Sequence, residues 1–221
     1  YSLLKNRITA AQFGKNIERL YRESDKKGLL NSFVMLSSHD HKRALTAVEG
    51  DVEKYRQAVL LQFTLPGIPK IYYGEEVGMI GDSDPYNREP MVWESSKWDM
   101  EIRKMYDSVV KLRRERVELQ EGELIELSES TGNGVIVYIR YMKESRKDYS
   151  IIVINSVNKE QDVRVFLPYS FIFSDMKLDN LLGTDYVRTT GSFMDINLKP
   201  NECRVYAPDY LYKENYNFYK R

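Results

Sequence analysis

The sequence predicts two unlike parts, an alternating α/β part over residues 1–118 and an antiparallel all-β part over residues 119–221. Three observations lead there. Two short apolar runs, Phe33 to Leu36 and Ile68 to Tyr73, each end in a polar cluster and are separated by a helical pattern, so a strand–helix unit repeats. Past Gly122 the apolar period falls from about 3.6 to 2. The later breaks, such as Thr131-Gly132-Asn133-Gly134, Asn155 to Lys159, Leu182-Gly183-Thr184 and Lys199-Pro200-Asn201, carry turn chemistry at the spacing of a small β-sandwich.

Each element follows from local chemistry. Thr9-Ala10-Ala11-Gln12 has the form of a capping box, with Ile8 and Phe13 placed as a hydrophobic staple, so a helix starts at Ala10. Phe13, Ile17, Leu20 and Tyr21 give it an apolar stripe, and Gly28 is the expected stop. Phe33-Val34-Met35-Leu36 is apolar at every position, the pattern of a parallel strand buried on both faces. A helix is expected from Val52 to Phe63, broken by Pro66-Gly67, and then a strand from Ile68 to Tyr73. A loop with Pro85 and Pro90 leads to a long amphipathic helix over Met100 to Glu118, with Ile102, Met105, Tyr106, Val109, Val110 and Leu112 on its buried side. Strands are expected over Val135 to Ile139, Tyr149 to Ile154, Val163 to Leu167 and Met194 to Leu198. The tail from Tyr206 to Arg221 holds five tyrosines, a surface-packing composition whose sharper alternative is stacking on carbohydrate.

Composition narrows the function. Hydrophobic residues at 42% and charged ones at 30% give a globular balance, and no apolar run approaches the roughly 20 residues of a membrane span. Thirty-three basic residues against thirty-three acidic ones leave no net field to attract nucleic acid. The single Cys203 forbids an intrachain disulfide and favours a reducing, cytoplasmic compartment. The opening residues carry no secretory apolar core, and a chain that begins with Tyr1 predicts a native start upstream.

Ligands of strand–helix folds gather at the carboxyl ends of parallel strands, which makes His39-Asp40 and Glu75-Glu76 candidates by position alone. The blander reading of each is a helix cap or a satisfied core group. His39-Asp40-His41 also invites a metal-dependent phosphohydrolase reading, weakened because these are the only two imidazoles in the chain. Glu75 and Glu76 are neighbours at a strand end, so they face opposite ways and do not form a catalytic pair.

Three stretches taken together resemble a known family. Ser38-His39-Asp40 with Arg43, then Leu65-Pro66-Gly67-Ile68-Pro69-Lys70-Ile71-Tyr72-Tyr73-Gly74-Glu75-Glu76, then Asp84-Pro85-Tyr86-Asn87-Arg88-Glu89-Pro90-Met91-Val92-Trp93 look like the α-amylase superfamily in order and spacing. The branch of cyclomaltodextrinases, neopullulanases and maltogenic amylases is the most similar. The motifs cover residues 33–93, and the helical and strand pattern extends the likeness over residues 1–207.

The resemblance implies that residues 1–118 are the last part of a (β/α)8 barrel, with its seventh and eighth strands, and that residues 119–221 are an antiparallel β-sandwich C-terminal domain with a Tyr-rich tail. It implies a retaining glycosidase acting on maltooligosaccharides, cyclodextrins or pullulan, by hydrolysis or transfer, with no redox cofactor. Asp40 matches the third essential carboxylate, the transition-state stabiliser, and His39 its sugar-binding neighbour. Asp84 and Arg88 match residues that bind a donor-side glucose. Arg43 matches a carboxylate-orienting support and Glu76 a strand-end structural acid, while His41 stands where the family usually has Thr. No residue is assigned as a metal ligand, and calcium is left open, since no acidic cluster of the calcium-loop type appears. The nucleophile and general acid of the family come from the fourth and fifth strands, which this chain lacks. With about 250 residues in a complete barrel, this chain is expected to be inactive alone and to dock onto the missing N-terminal half or onto another copy. The alternative is a non-catalytic carbohydrate-binding or scaffold protein that keeps the sugar contacts.

Overall fold

The computed structural model describes residues 1–5, 7–131, 134–145, 148–167, 172 and 174–208. Helix α1 (Ala10–Glu23) starts on the expected capping box: Thr9 Oγ1 accepts from the Gln12 amide, and the Gln12 side chain accepts from the Thr9 amide. It ends at Glu23 and not at Gly28. Asp25 caps a further short helix, α2 (Lys26–Leu30), by accepting the Gly28 amide at 2.6 Å, so Gly28 lies inside a helix.

Strand β1 (Phe33–Met35) leads through a polar loop to α3 (Ala44–Ala47) and α4 (Val52–Thr64), and strand β2 (Ile68–Lys70) returns parallel to β1, with Phe33 opposite Ile68 and Met35 opposite Lys70. Burial on both faces does not hold here. Phe33 is 62% and Met35 47% exposed, because among the described residues β1 has one neighbouring strand and this face carries no covering layer, whereas the Val34 carbonyl is bound by Gln62 of α4. The second strand is also shorter than expected, since the chain leaves extended structure after Lys70 and turns at Gly74, whose φ is 82°.

Helix α5 (Met100–Glu115) is capped by Asp99 and buries Ile102, Met105, Tyr106, Val109 and Leu112. It stops three residues earlier than expected. Arg116 adopts an extended backbone and starts α6 (Val117–Glu121), whose Glu118 is buried between Arg116 and Ser150. The end of α4 is held by two buried guanidinium groups. Arg113 donates to the carbonyls of Phe63, Leu65 and Gly67, and Arg140 to those of Thr64 and Gly122, which satisfies acceptors that a helix C-terminus leaves open.

The second half contains β3 (Glu123–Glu126), β4 (Val135–Tyr141), β5 (Tyr149–Asn155), β6 (Gln161–Phe166), β7 (Lys177–Asn180), β8 (Tyr186–Arg188), β9 (Phe193–Leu198) and β10 (Cys203–Pro208). One antiparallel sheet has the order β3-β4-β5-β10-β7-β8, and β6 pairs with β9 in a separate two-stranded ribbon. The period of 2 has an unusual use in β4 and β5. Ile136, Tyr138, Ile152 and Ile154 face the core built by α1, α4 and α5, whereas Val135, Val137, Ile139, Ile151 and Val153 face the ribbon's Val163, Val165, Met194 and Ile196. The sheet is thus covered by helices on one side and by the ribbon on the other. Most of the Tyr-rich tail lies outside the described residues.

Candidate active site

Because β1 and β2 are parallel, the loops after Met35 and after Lys70 leave from the same edge. Glu75 ties those loops together: its carboxylate accepts from Ser37 Oγ at 2.5 Å and from the Tyr72 amide at 3.0 Å. Glu75 is fully buried, and burial pushes its carboxyl up to about 7, although the two hydrogen bonds and the nearby Arg43 charge pull it down. Glu75 thus links the two strand-end loops. Glu76, expected as a strand-end structural acid, has a buried Oε2 with no hydrogen-bond partner among the described residues.

Arg43 is completely buried beneath the loop. Its guanidinium donates to the Tyr73 carbonyl at 2.6 Å and lies 4.9 and 4.7 Å from the ring centroids of Tyr72 and Tyr73, so it binds the β1 loop to the end of β2. The third segment closes over both. Tyr72 Oη donates to the Asn87 carbonyl and Tyr73 Oη to the Glu89 carbonyl, while the fully buried Asn87 side chain donates to the carbonyls of His39 at 2.8 Å and His41 at 3.0 Å. Gly81 permits this approach, since a Cβ there would stand 2.5 Å from the Tyr86 carbonyl oxygen.

That scaffold brings together four expected side chains. His39 Nε2 lies 3.3 Å from Asp40 Oδ2, Arg88 Nη2 lies 3.9 Å from Asp40 Oδ1, and Arg88 Nε reaches both Asp84 Oδ1 at 3.2 Å and the His39 carbonyl at 3.1 Å. The side chains of His39 and Asp40 are each 64% exposed, so the carboxylate faces solvent with room for a ligand. A carboxylate that only accepts, beside a forked guanidinium that only donates, suits the adjacent hydroxyls of a polyol. His41 turns elsewhere, with Nδ1 3.0 Å from Ser38 Oγ. Among the described residues no group of three or more His, Cys, Asp or Glu is arranged to hold a metal ion, and no helix is long and apolar enough to cross a membrane.

Glu75 is a candidate by position, but its bond to Ser37 and the bridging part of Asn87 are not anticipated. All three act on backbone or on one another, and short polar residues in a loop carry no spacing signal for that.

Comparison with known proteins identifies the family. The model of the α-amylase catalytic domain matches residues 4–124, and the chain belongs to that family. A cyclomaltodextrinase of Thermoanaerobacter pseudethanolicus is 38% identical over 164 residues, which is 74% of this chain and 27% of that protein. Neopullulanase 2 of Thermoactinomyces vulgaris is 32% identical over 166 residues, with the same shares of the two chains. The crystal structure of Ttha1563 from Thermus thermophilus superposes with a TM-score of 0.77 at 27% identity, covering 91% of this chain and 41% of that one. The chain thus spans about a quarter of the length of these curated relatives.

Proposed function

We propose that this chain is the carboxyl-terminal portion of an α-glucan-acting glycoside hydrolase, which cleaves or transfers α-glucosidic bonds of maltooligosaccharides, cyclodextrins or pullulan. The observation that carries the reading is the convergence of His39, Asp40, Asp84 and Arg88 at one edge of two parallel strands, in a chain of the α-amylase family. Residues 1–118 supply the last two strands of a (β/α)8 barrel with their helices, and residues 119–221 form the antiparallel domain that follows.

In this reading Asp40 accepts hydrogen bonds from hydroxyls of the reacting sugar and its negative charge stabilises the oxocarbenium character of the transition state. His39 holds the same sugar ring. Asp84 and Arg88, linked at 3.2 Å, hold a glucose further toward the donor end. The nucleophile and general acid, about 5–5.5 Å apart in a retaining enzyme, come from polypeptide that precedes this chain. Arg43 and the Glu75–Ser37 link keep the loop of Asp40 against the neighbouring strand end.

The test is complementation. This chain is mixed with a polypeptide carrying the first six strands of a relative, and cleavage of maltoheptaose is followed. Activity absent from either part and present in the mixture is the expected result. A mixture that associates yet stays inactive, while this chain binds maltoheptaose, contradicts the enzymatic reading and favours a binding protein.

A further inference from the structure

The ribbon of β6 and β9 has an inner face of Val163, Val165, Met194 and Ile196, which packs into the second core. Its outer face is a ladder of three exposed cross-strand pairs: Phe166 opposite Phe193, Arg164 opposite Asp195, and Asp162 opposite Asn197. At about 3.3 Å per residue these rungs extend over about 13 Å. The phenylalanines are 45% and 40% exposed, with ring centroids 5.5 Å apart and planes inclined at 51°. Next to them Arg164 and Asp195 form a two-pronged ion pair at 2.7 and 2.9 Å, and the Arg164 guanidinium lies 5.5 Å from the centre of the Phe193 ring. On the third rung the Asn197 amide donates to Glu160 at 2.7 Å and to Asp162 at 2.9 Å. A shallow depression of about 370 Å³ lies over the two polar rungs.

We infer that this outer ribbon face is a second carbohydrate-binding surface, separate from the strand-end site, which takes a segment of α-glucan chain. The inference rests on the α-glucan reading above for the identity of the sugar. The chemistry selects a neutral polyol. An open aromatic pair supplies a platform for the C–H face of a pyranose ring. The polar rungs supply fixed donors and acceptors within reach of its hydroxyls, already ordered by their mutual hydrogen bonds, so little side-chain entropy is lost on binding. An anion is disfavoured, because Arg164 is already paired with Asp195 and the next rung carries the carboxylates of Glu160 and Asp162. The ladder length accommodates more than one sugar ring, which suits a polymer or long oligosaccharide.

The experiment is hydrogen exchange of the unmodified chain with and without maltoheptaose, together with electrophoresis through gels containing amylopectin. The expected result is slowed exchange across residues 161–166 and 193–198, and retardation in the gel that weakens at least fivefold in a variant carrying Phe166→Ala and Phe193→Ala. Slowed exchange confined to residues 36–43 and 84–89 overturns the inference and leaves the α-glucan reading standing. No slowing anywhere overturns it as well. Should the double variant fail to fold, as judged by its thermal transition, the exchange map on the unmodified chain decides alone.

Discussion

Glu75 couples the geometry of the site to pH. Its carboxyl is buried between the two strand-end loops and titrates near 7, above the ordinary 4.5 of a glutamate. Between those values the folded chain binds a proton that the unfolded chain has lost, so stability falls as pH rises from about 4.5 through 7. At 1.36 kcal/mol per pH unit the full effect is roughly 3 kcal/mol. Glu75→Gln keeps the oxygen that accepts from Ser37 or from the Tyr72 amide and removes the titration. Urea unfolding at pH 5 and pH 7.5 is expected to show a smaller difference in the variant than in the parent chain, and an equal difference contradicts the assignment.

At this scale the sequence was informative about exposed chemistry and poor about its support. Asp40, Asp84 and Arg88 stood out through the motif, whereas Glu75 was indistinguishable from Glu76 until the turn at Gly74 directed one inward.

The elements respond to substitution through their ends. Thr9→Ala removes the acceptor for the Gln12 amide at the start of α1, at a cost of about 1 kcal/mol. For a chain of this size that lowers Tm by roughly 2–4 °C, measurable by calorimetry. Arg113→Ala is expected to cost more, on the order of 3 kcal/mol, since it strips three carbonyls at the end of α4 of their common donor inside the core. Arg113→Lys recovers only part of this, because one ammonium does not reproduce the planar fork. A loss no greater than that of Thr9→Ala contradicts the capping role.

Helices were legible here because caps and apolar stripes are local. The capping box at Thr9 and the start of α4 after Asp51 both appear as read. The strands β3, β7, β8 and β10 were not legible. Each is short or mixes buried and exposed positions irregularly, and its place is set by partners distant in sequence, as when Tyr206 pairs with both Ile151 and Asn180. The break at Arg116 also escapes local reading, since that residue is held by a long-range bond to the Tyr149 carbonyl as well as by its ion pair with nearby Glu118.

On the scale of the whole molecule the main asymmetry is the uncovered side of β1 and β2. Phe33, Met35 and Ile68 are exposed together there, and Leu20 of α1 is 58% exposed beside a groove that Phe33 and Met35 also line. Such a surface is a site of association. This chain alone is expected to self-associate as its concentration rises, and Phe33→Glu to return it to the monomer in sedimentation velocity. A parent chain that stays monomeric at high concentration contradicts association with another copy. Continuous apolar runs led to an expectation of strands buried on both faces. On the proposed docking, the burial that those runs describe is completed by a larger assembly.

The most direct test concerns Asp40 in the intact protein that contains this chain. Asp40→Asn keeps the shape of the side chain and removes its negative charge. The expected result is a fall of about 10²–10³-fold in kcat for maltoheptaose cleavage, with KM little changed and an unaltered thermal transition. Activity within about threefold of the parent protein, less than the loss of one such electrostatic contact, would contradict the placement of the reacting sugar at this carboxylate.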